Sequence, residues 1–274
     1  MKLLARRMIF ALLMLPSLLM AQKGIDVSRF QDTINWKKVA ANKSIDFVYV
    51  KASEGASIRD KMYRYNVKKA REEGLLIGSY HVYSSRTTAQ QQFANFKKVV
   101  GNTKQDIVPV LDIEAVHCHK LYMARVDKLL ELMEKEYGAK PMIYTSERLY
   151  MTHFNVKKYK KYHFFIANYK REPQMAYTLW QYTQHGKQKG ISGFVDFSRF
   201  SSRYDIENIK IKEKDTTAVE PPKTTPEKKQ LEKKKNVSKS KATKPAPSKS
   251  KVKSTAKKTG TKSKGNTTSS KGKK

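Results

Sequence analysis

Ile107-Val108-Pro109-Val110-Leu111-Asp112-Ile113-Glu114 reads as a β-strand that ends in two acids. Its run of Ile, Val and Leu suits a strand covered on both faces, as in a parallel sheet. Side chains alternate along a strand, so Asp112 and Glu114, two residues apart, share one face. Carboxylates at the end of a buried strand need a reason, because desolvating charge costs free energy. By itself the pair fits two readings equally. It can be two solvated acids bonded to Lys or Arg, or a pair whose environments push their pKa values apart, as glycosidic cleavage requires.

Working outward, seven further apolar runs flank this one: Ile25 to Val27, Phe47 to Val50, Leu75 to Val82, Met142 to Tyr144, Phe164 to Ala167, Leu179 to Tyr182 and Phe194 to Phe197. With Val108 to Ile113 they make eight strand candidates. Between the early ones lie segments with apolar residues at three- and four-residue spacing, Trp36 to Asn42, Tyr63 to Glu73, Thr88 to Val100 and Leu121 to Tyr137. Gly74, Gly101 and Gly138 stand just past three of these helices, and Thr87 with Gln90 fits a capping box. Strands alternating with helices imply a parallel sheet, and eight of them suggest a closed α/β barrel. Helix thins out in the final third, so the barrel is expected to be irregular, with some antiparallel closure.

Chemistry in such barrels sits at the carboxyl ends of the strands. Asp26 lies near the end of the first run, Glu54 just after the second and His81 late in the third. Asp112 and Glu114 end the fourth, and Asp196 falls late in the eighth. Acids distant in sequence therefore converge on one mouth.

Composition sets the limits of the folded part. The chain has 274 residues and a formal charge of +33, and its aromatics stop before residue 212. Residues 212–274 hold 21 Lys against five acids, with Val219, Leu231, Val237 and Val252 as the only larger aliphatics. Such a segment cannot bury enough apolar surface to offset its chain entropy, so a disordered Lys-rich tail is expected there. At the other end, Lys2, Arg6 and Arg7 precede an uncharged Met8 to Ala21 stretch that is too short, and too broken by Pro16 and Ser17, to span a bilayer. It reads as an export signal over residues 1–21, cut near Ala21. One domain over residues 22–211 remains between them, expected to be secreted or periplasmic and monomeric. Cys118 is the sole cysteine, so no internal disulfide can form.

Seven segments in order resemble glycoside hydrolase family 25, the Chalaropsis-type lysozymes or muramidases. They are Gly24-Ile25-Asp26-Val27-Ser28 with Gln31 and Trp36, then Val50-Lys51-Ala52-Ser53-Glu54-Gly55, Gly78-Ser79-Tyr80-His81, Leu111-Asp112-Ile113-Glu114, Ile166-Ala167-Asn168-Tyr169, Trp180-Gln181-Tyr182 and Val195-Asp196. The resemblance implies an irregular eight-stranded β/α barrel of about five βα units plus closing strands. It implies cleavage of the β-1,4 bond between N-acetylmuramic acid and N-acetylglucosamine in peptidoglycan, without a cofactor or metal. Glu114 matches the general acid, Asp112 its partner, and Asp26 and Asp196 two further acids. Tyr80, Tyr169 and Trp180 look like sugar-contacting aromatics, and His81, Lys51, Glu54 and Asn168 complete the expected substrate-binding set. One departure is Ser198, where the family often has Asn, followed by Arg199.

On physical grounds, crowding Glu114 with Asp112 in a partly buried mouth is expected to raise the Glu114 pKa and leave Asp112 ionised. Asp112 could attack, position a water, or orient the substrate's 2-acetamido group; the i, i+2 spacing leaves these open.

Other readings bear on single residues. His117-Cys118-His119, with His81 as a third ligand, invites zinc, but no HExxH or paired CxxC accompanies it. His81 reads equally as a core histidine, Trp36 as core, and Lys51 as a surface lysine or a partner of the acids. Of Trp180 and Gln181, one should point into the barrel. For the whole chain, the alternatives are a non-catalytic peptidoglycan-binding protein held at the envelope by its cationic tail, or a charge-driven nucleic-acid binder. The tail would hold polyanions in a salt-sensitive way, envelope polymers before any specific nucleic acid.

Overall fold

The structure, a computed structural model, describes residues 22–116 and 120–212. The proposed export segment 1–21, the stretch His117-Cys118-His119 and the tail beyond Lys212 lie outside the described residues. The chain runs β1 (Lys23–Val27), α1 (Trp36–Ala40), β2 (Ile45–Glu54), a short β3 (Ile58–Arg59), α2 (Tyr63–Glu72), β4 (Leu76–Val82), α3 (Ala89–Val100) and β5 (Val110–Asp112). It continues through α4 (Lys120–Tyr137), β6 (Met142–Ser146), a single turn α5 (Glu147–Leu149), β7 (Phe164–Ala167), β8 (Leu179–Gly186) and β9 (Val195–Phe200).

Eight strands close the ring in the order β1, β2, β4, β5, β6, β7, β8, β9, with β1 pairing with both β2 and β9. Every pair from β1 to β8 is parallel, and β9 returns antiparallel to both neighbours. The expected irregular barrel with antiparallel closure is what forms. β3 adds only a small hairpin on the end of β2.

Strand alternation divides the core in two. Outward-facing Val48, Val50, Leu111, Ile113 and Ile143 pack with Phe96 of α3 and Val126, Leu129 and Met133 of α4. Inward-facing Phe47, Tyr49, Val110, Met142, Phe165, Leu179 and Phe200 fill the barrel. Burying each such side chain is worth about 1.5–3 kcal/mol. Gly78 is part of this inner fit, because a Cβ there would lie 2.2 Å from the Tyr49 ring.

β1 and β2 begin two residues earlier than expected, at Lys23 and Ile45, β2, β8 and β9 run on to Glu54, Gly186 and Phe200, and β5 and the cap of α3 also depart from expectation. β5 is regular for only three residues, because Pro109 has no N–H to give the ladder, although Ile113 N still donates to Tyr144 O at 2.9 Å. The capping box on α3 is made by Thr88 and Gln91, not Thr87 and Gln90. Paired Thr and repeated Gln make the motif ambiguous by one residue, and the choice made here places Ala89, Gln92 and Phe96 on the buried face. Gly74, Gly101 and Gly138 all take positive φ after their helices.

Candidate active site

The barrel's inner face changes character toward the carboxyl ends of its strands. Above Val110 and Phe165 lies a pocket of about 400 Å³ lined by Asp26, Asp112, Glu114, Asp196, Gln181 and three tyrosines, Tyr49, Tyr80 and Tyr144. All four acids expected at one mouth are there. Asp26 and Asp196 stand opposite each other in the β1–β9 ladder, so closure of the ring brings together residues 170 positions apart.

The acids differ in burial. Asp26 and Asp112 are buried, and each keeps one carboxyl oxygen, Oδ1, with no hydrogen-bond partner. Burial, and then the neighbouring Asp196, hold the Asp26 carboxyl well above its usual pKa, against the opposing hydrogen bond from Gln181. Asp112 is also raised well above the ordinary range, first by burial and next by Glu114, while the Lys51 ammonium opposes the shift. Asp196 is pushed up to about 6, mainly by burial, with His185 acting in the opposite direction.

Glu114, just past the end of β5, is exposed. The expected crowding therefore falls on the other member of the pair. It is Asp112 that is desolvated and resists ionisation, because the strand end is inside the barrel while the next inward position has already left it.

Gln181 organises one wall. Tyr144 and Tyr169 hydroxyls donate to its Oε1 at 2.8 and 2.6 Å, which turns its Nε2 toward Asp26 Oδ2 at 3.0 Å. Asp26 is thus held by one oxygen and presents the other to the pocket. Tyr49 donates to Val108 O at 3.1 Å. Burial and the nearby acids raise the Tyr49, Tyr80 and Tyr144 hydroxyls, which keeps them protonated as donors.

The expected substrate contacts sort by strand face. Tyr80 lines the pocket, and Tyr169, 45% exposed, borders it through Gln181. Lys51 is buried beside the acids and pairs with Glu54 at 2.8 Å. Asn168 lines an adjoining groove and donates through Nδ2 to Glu147.

Two residues do not reach the pocket. His81 is fully buried on the outer face of β4, between Ser53 Oγ (2.8 Å) and Gln92 Oε1 (3.3 Å). Trp180 also faces outward, donating to Asn168 O at 2.7 Å beneath the Arg199 guanidinium. In both cases the inward neighbour, Tyr80 or Gln181, takes the site. Arg199 likewise puts its charge on the outer face, with Glu172 at 3.1 Å, and Ser198 faces inward with its hydroxyl unpartnered.

Tyr49, Tyr144 and Gln181 were not singled out as site residues. Period-two counting from Lys51, and the choice posed between Trp180 and Gln181, carried the signal for two of them. Among the described residues no group of three or more His, Cys, Asp and Glu side chains could hold a metal ion.

A (β/α) barrel with a carboxylate cluster and protonated tyrosines at its carboxyl mouth is an architecture for acid-assisted cleavage of sugars. Comparison with known proteins agrees. The model of glycosyl hydrolases family 25 matches residues 25–191, and the chain belongs to that family. It is accordingly a glycoside hydrolase. The uncharacterized protein YegX of Escherichia coli K12 is 36% identical over 189 residues, covering 65% of this chain and 69% of YegX. Lysozyme M1 of Streptomyces globisporus is 28% identical over 200 residues, covering 65% and 67%. A family 25 glycosyl hydrolase structure from Bacillus anthracis superposes with a TM-score of 0.59 at 26% identity, covering 66% of this chain and 89% of that one.

Proposed function

We propose that the chain is a peptidoglycan hydrolase, an N-acetylmuramidase that cleaves the β-1,4 bond between N-acetylmuramic acid and N-acetylglucosamine. The observation that carries this reading is the asymmetric pair: exposed Glu114 beside buried Asp112, in a pocket with Asp26 and Asp196. Similarity to Lysozyme M1 supports the substrate class.

In this proposal Glu114 gives its proton to the leaving glycosidic oxygen, and bound sugar covers it from water. Asp112, with its unpartnered Oδ1, accepts from the N–H of the 2-acetamido group and turns the acetamido oxygen toward the anomeric carbon. As positive charge develops on the sugar, the buried carboxyl gains more from it than a solvated one could, because the site screens charge weakly. Asp26 and Asp196 receive sugar hydroxyls, with Tyr80 and Tyr169 against the ring faces. The export signal over residues 1–21 and the polyanion-binding tail over 212–274 belong to the same proposal, as retention devices at an envelope.

The test is release of reducing ends from purified peptidoglycan by wild type and Glu114→Gln, with mass-spectrometric identification of the new end. Muramic acid ends released by wild type and lost in the variant are expected. Glucosamine ends, or equal release by both proteins, would remove the assignment.

A further inference from the structure

A second groove, of about 1310 Å³, opens beside the acid pocket over the ends of β6 and β7 and shares Glu114 and Tyr144 with it. Its charge is opposite to that of the pocket. Glu147 in its wall is already engaged by Asn168 Nδ2, by Arg171 Nη2 at 3.3 Å and by the Gln174 N–H at 3.3 Å, and its side chain is only 15% exposed. Arg148 and Lys170 are exposed, and neither side chain has a hydrogen-bond or ion-pair partner among the described residues.

These cations sit on held backbone. Asn168 Oδ1 accepts from the Lys170 and Arg171 N–H groups at 3.0 and 3.3 Å, and Asn168 O accepts from the Trp180 indole. Arg148 lies in the turn capped by Ser146. Away from Tyr144 and Tyr169, at its border with the pocket, the groove has no further aromatic side chain, and its lining there includes the cations and exposed Met151.

The sugar backbone of peptidoglycan is uncharged where its lactyl groups are amide-linked. Its carboxylates are on the stem peptides, which hang from the muramoyl residue together with alanine methyls. We propose that this groove takes the stem peptide of the muramoyl unit held in the pocket, with Arg148 and Lys170 receiving its carboxylates and Met151 its methyl groups. This rests on the peptidoglycan-hydrolase reading. A peptide leaving the pocket past Glu114 enters the groove directly, so the two sites read two parts of one substrate.

The test uses the full chain, wild type and Arg148→Glu/Lys170→Glu, on peptide-bearing glycan and on the same glycan stripped of stems by an amidase, with the lactyl carboxylates so freed capped as methylamides. The double reversal is expected to raise KM about tenfold on peptide-bearing glycan, the effect of losing a few hydrogen-bonded charges, and to leave the stripped glycan unchanged. Equal change on both substrates, or none on either, would overturn the inference. A synthetic stem tetrapeptide, titrated directly, separates this from failure of the hydrolase reading. If wild type cuts neither glycan, that reading fails, while binding of the peptide by wild type and its loss in the variant still assign the groove. Absence of peptide binding, or binding of short polyphosphate in its place, assigns the groove otherwise.

Discussion

Two buried polar clusters lie on opposite faces of the barrel wall, one outside β2 and β4 and one inside at the ends of β1 and β5, and they are built on opposite rules. On the outer face, Gln92 Nε2 donates to Ser84 O and Thr87 O, so its Oε1 faces His81 Nε2, which carries the proton. His81 Nδ1 then accepts from Ser53. Both ring nitrogens are partnered, and burial holds the imidazole neutral, with its pKa lowered to about 4. On the inner face, Asp26 and Asp112 each keep a buried oxygen with no partner. A satisfied polar network specifies structure, whereas an unsatisfied one stores free energy for a ligand to recover. The difference separates a structural histidine from acids that face the pocket from the flanking strands β1 and β5.

The largest expected effect breaks the inner cluster at its exposed member. Glu114→Gln should lower kcat by at least about 10²-fold, the usual worth of a positioned acid, without moving Tm. Kinetics beside a melting curve checks both halves; a large Tm loss would mean that Glu114 is structural.

Asp112→Asn should also reduce kcat severely, yet hold or raise Tm, because it replaces a carboxyl whose ionisation the fold disfavours with a neutral amide. His81→Leu sharpens the contrast from the other side. It strands the Ser53 hydroxyl and takes one of two donors from the Gln92 carbonyl, which keeps the Ser84 N–H at 2.8 Å, so urea unfolding should show a loss of about 1–3 kcal/mol while turnover per folded molecule is retained. A His81 variant that folds normally but has lost activity would contradict the division.

The two clusters should also respond to pH with opposite sign. Folded-state pKa values of Asp26, Asp112 and Asp196 are raised, so the folded chain keeps protons that the unfolded chain releases above its Asp value near 3.8. Their contribution to stability is full below that value and is lost as pH rises through the folded values, near 6 for Asp196. His81 is depressed from 6.5 to about 4, so its contribution is full above 6.5 and lost as pH falls toward 4. Melting curves from pH 4 to 7 should therefore gain acid-side stability in His81→Leu relative to wild type, and lose their decline toward pH 6 in Asp196→Asn.

The smallest effect is expected at Gln181→Leu. Asp26 loses the hydrogen bond that lowers its pKa, so the acid limb of the kcat/KM profile should move to higher pH. An unshifted profile would make Gln181 a packing residue alone.

Much of the architecture was legible in the chain. The apolar run ending at Asp112, the glycines past three helices and the placement of Asp26, Asp112 and Asp196 late in their strands each depend on local backbone geometry, which neighbouring residues decide. The capping box slipped by one residue because adjacent Thr and Gln satisfy the same local rule. His81 and Trp180 each fit two readings in the sequence for a different reason. Polar or amphipathic side chains fit either face of a strand that is covered on both sides, so alternation establishes that neighbours oppose each other without saying which one faces in.

By itself, then, the sequence determined that eight strands and intervening helices form, that four acids cluster at strand ends and that Asp112 and Glu114 share a face. Tertiary structure alone decided which face points inward, that Asp112 rather than Glu114 bears the burial, and that Gln181 holds Asp26 across 155 residues. Desolvation and long-range hydrogen bonds depend on what closure of the barrel brings together, and no local spacing encodes that.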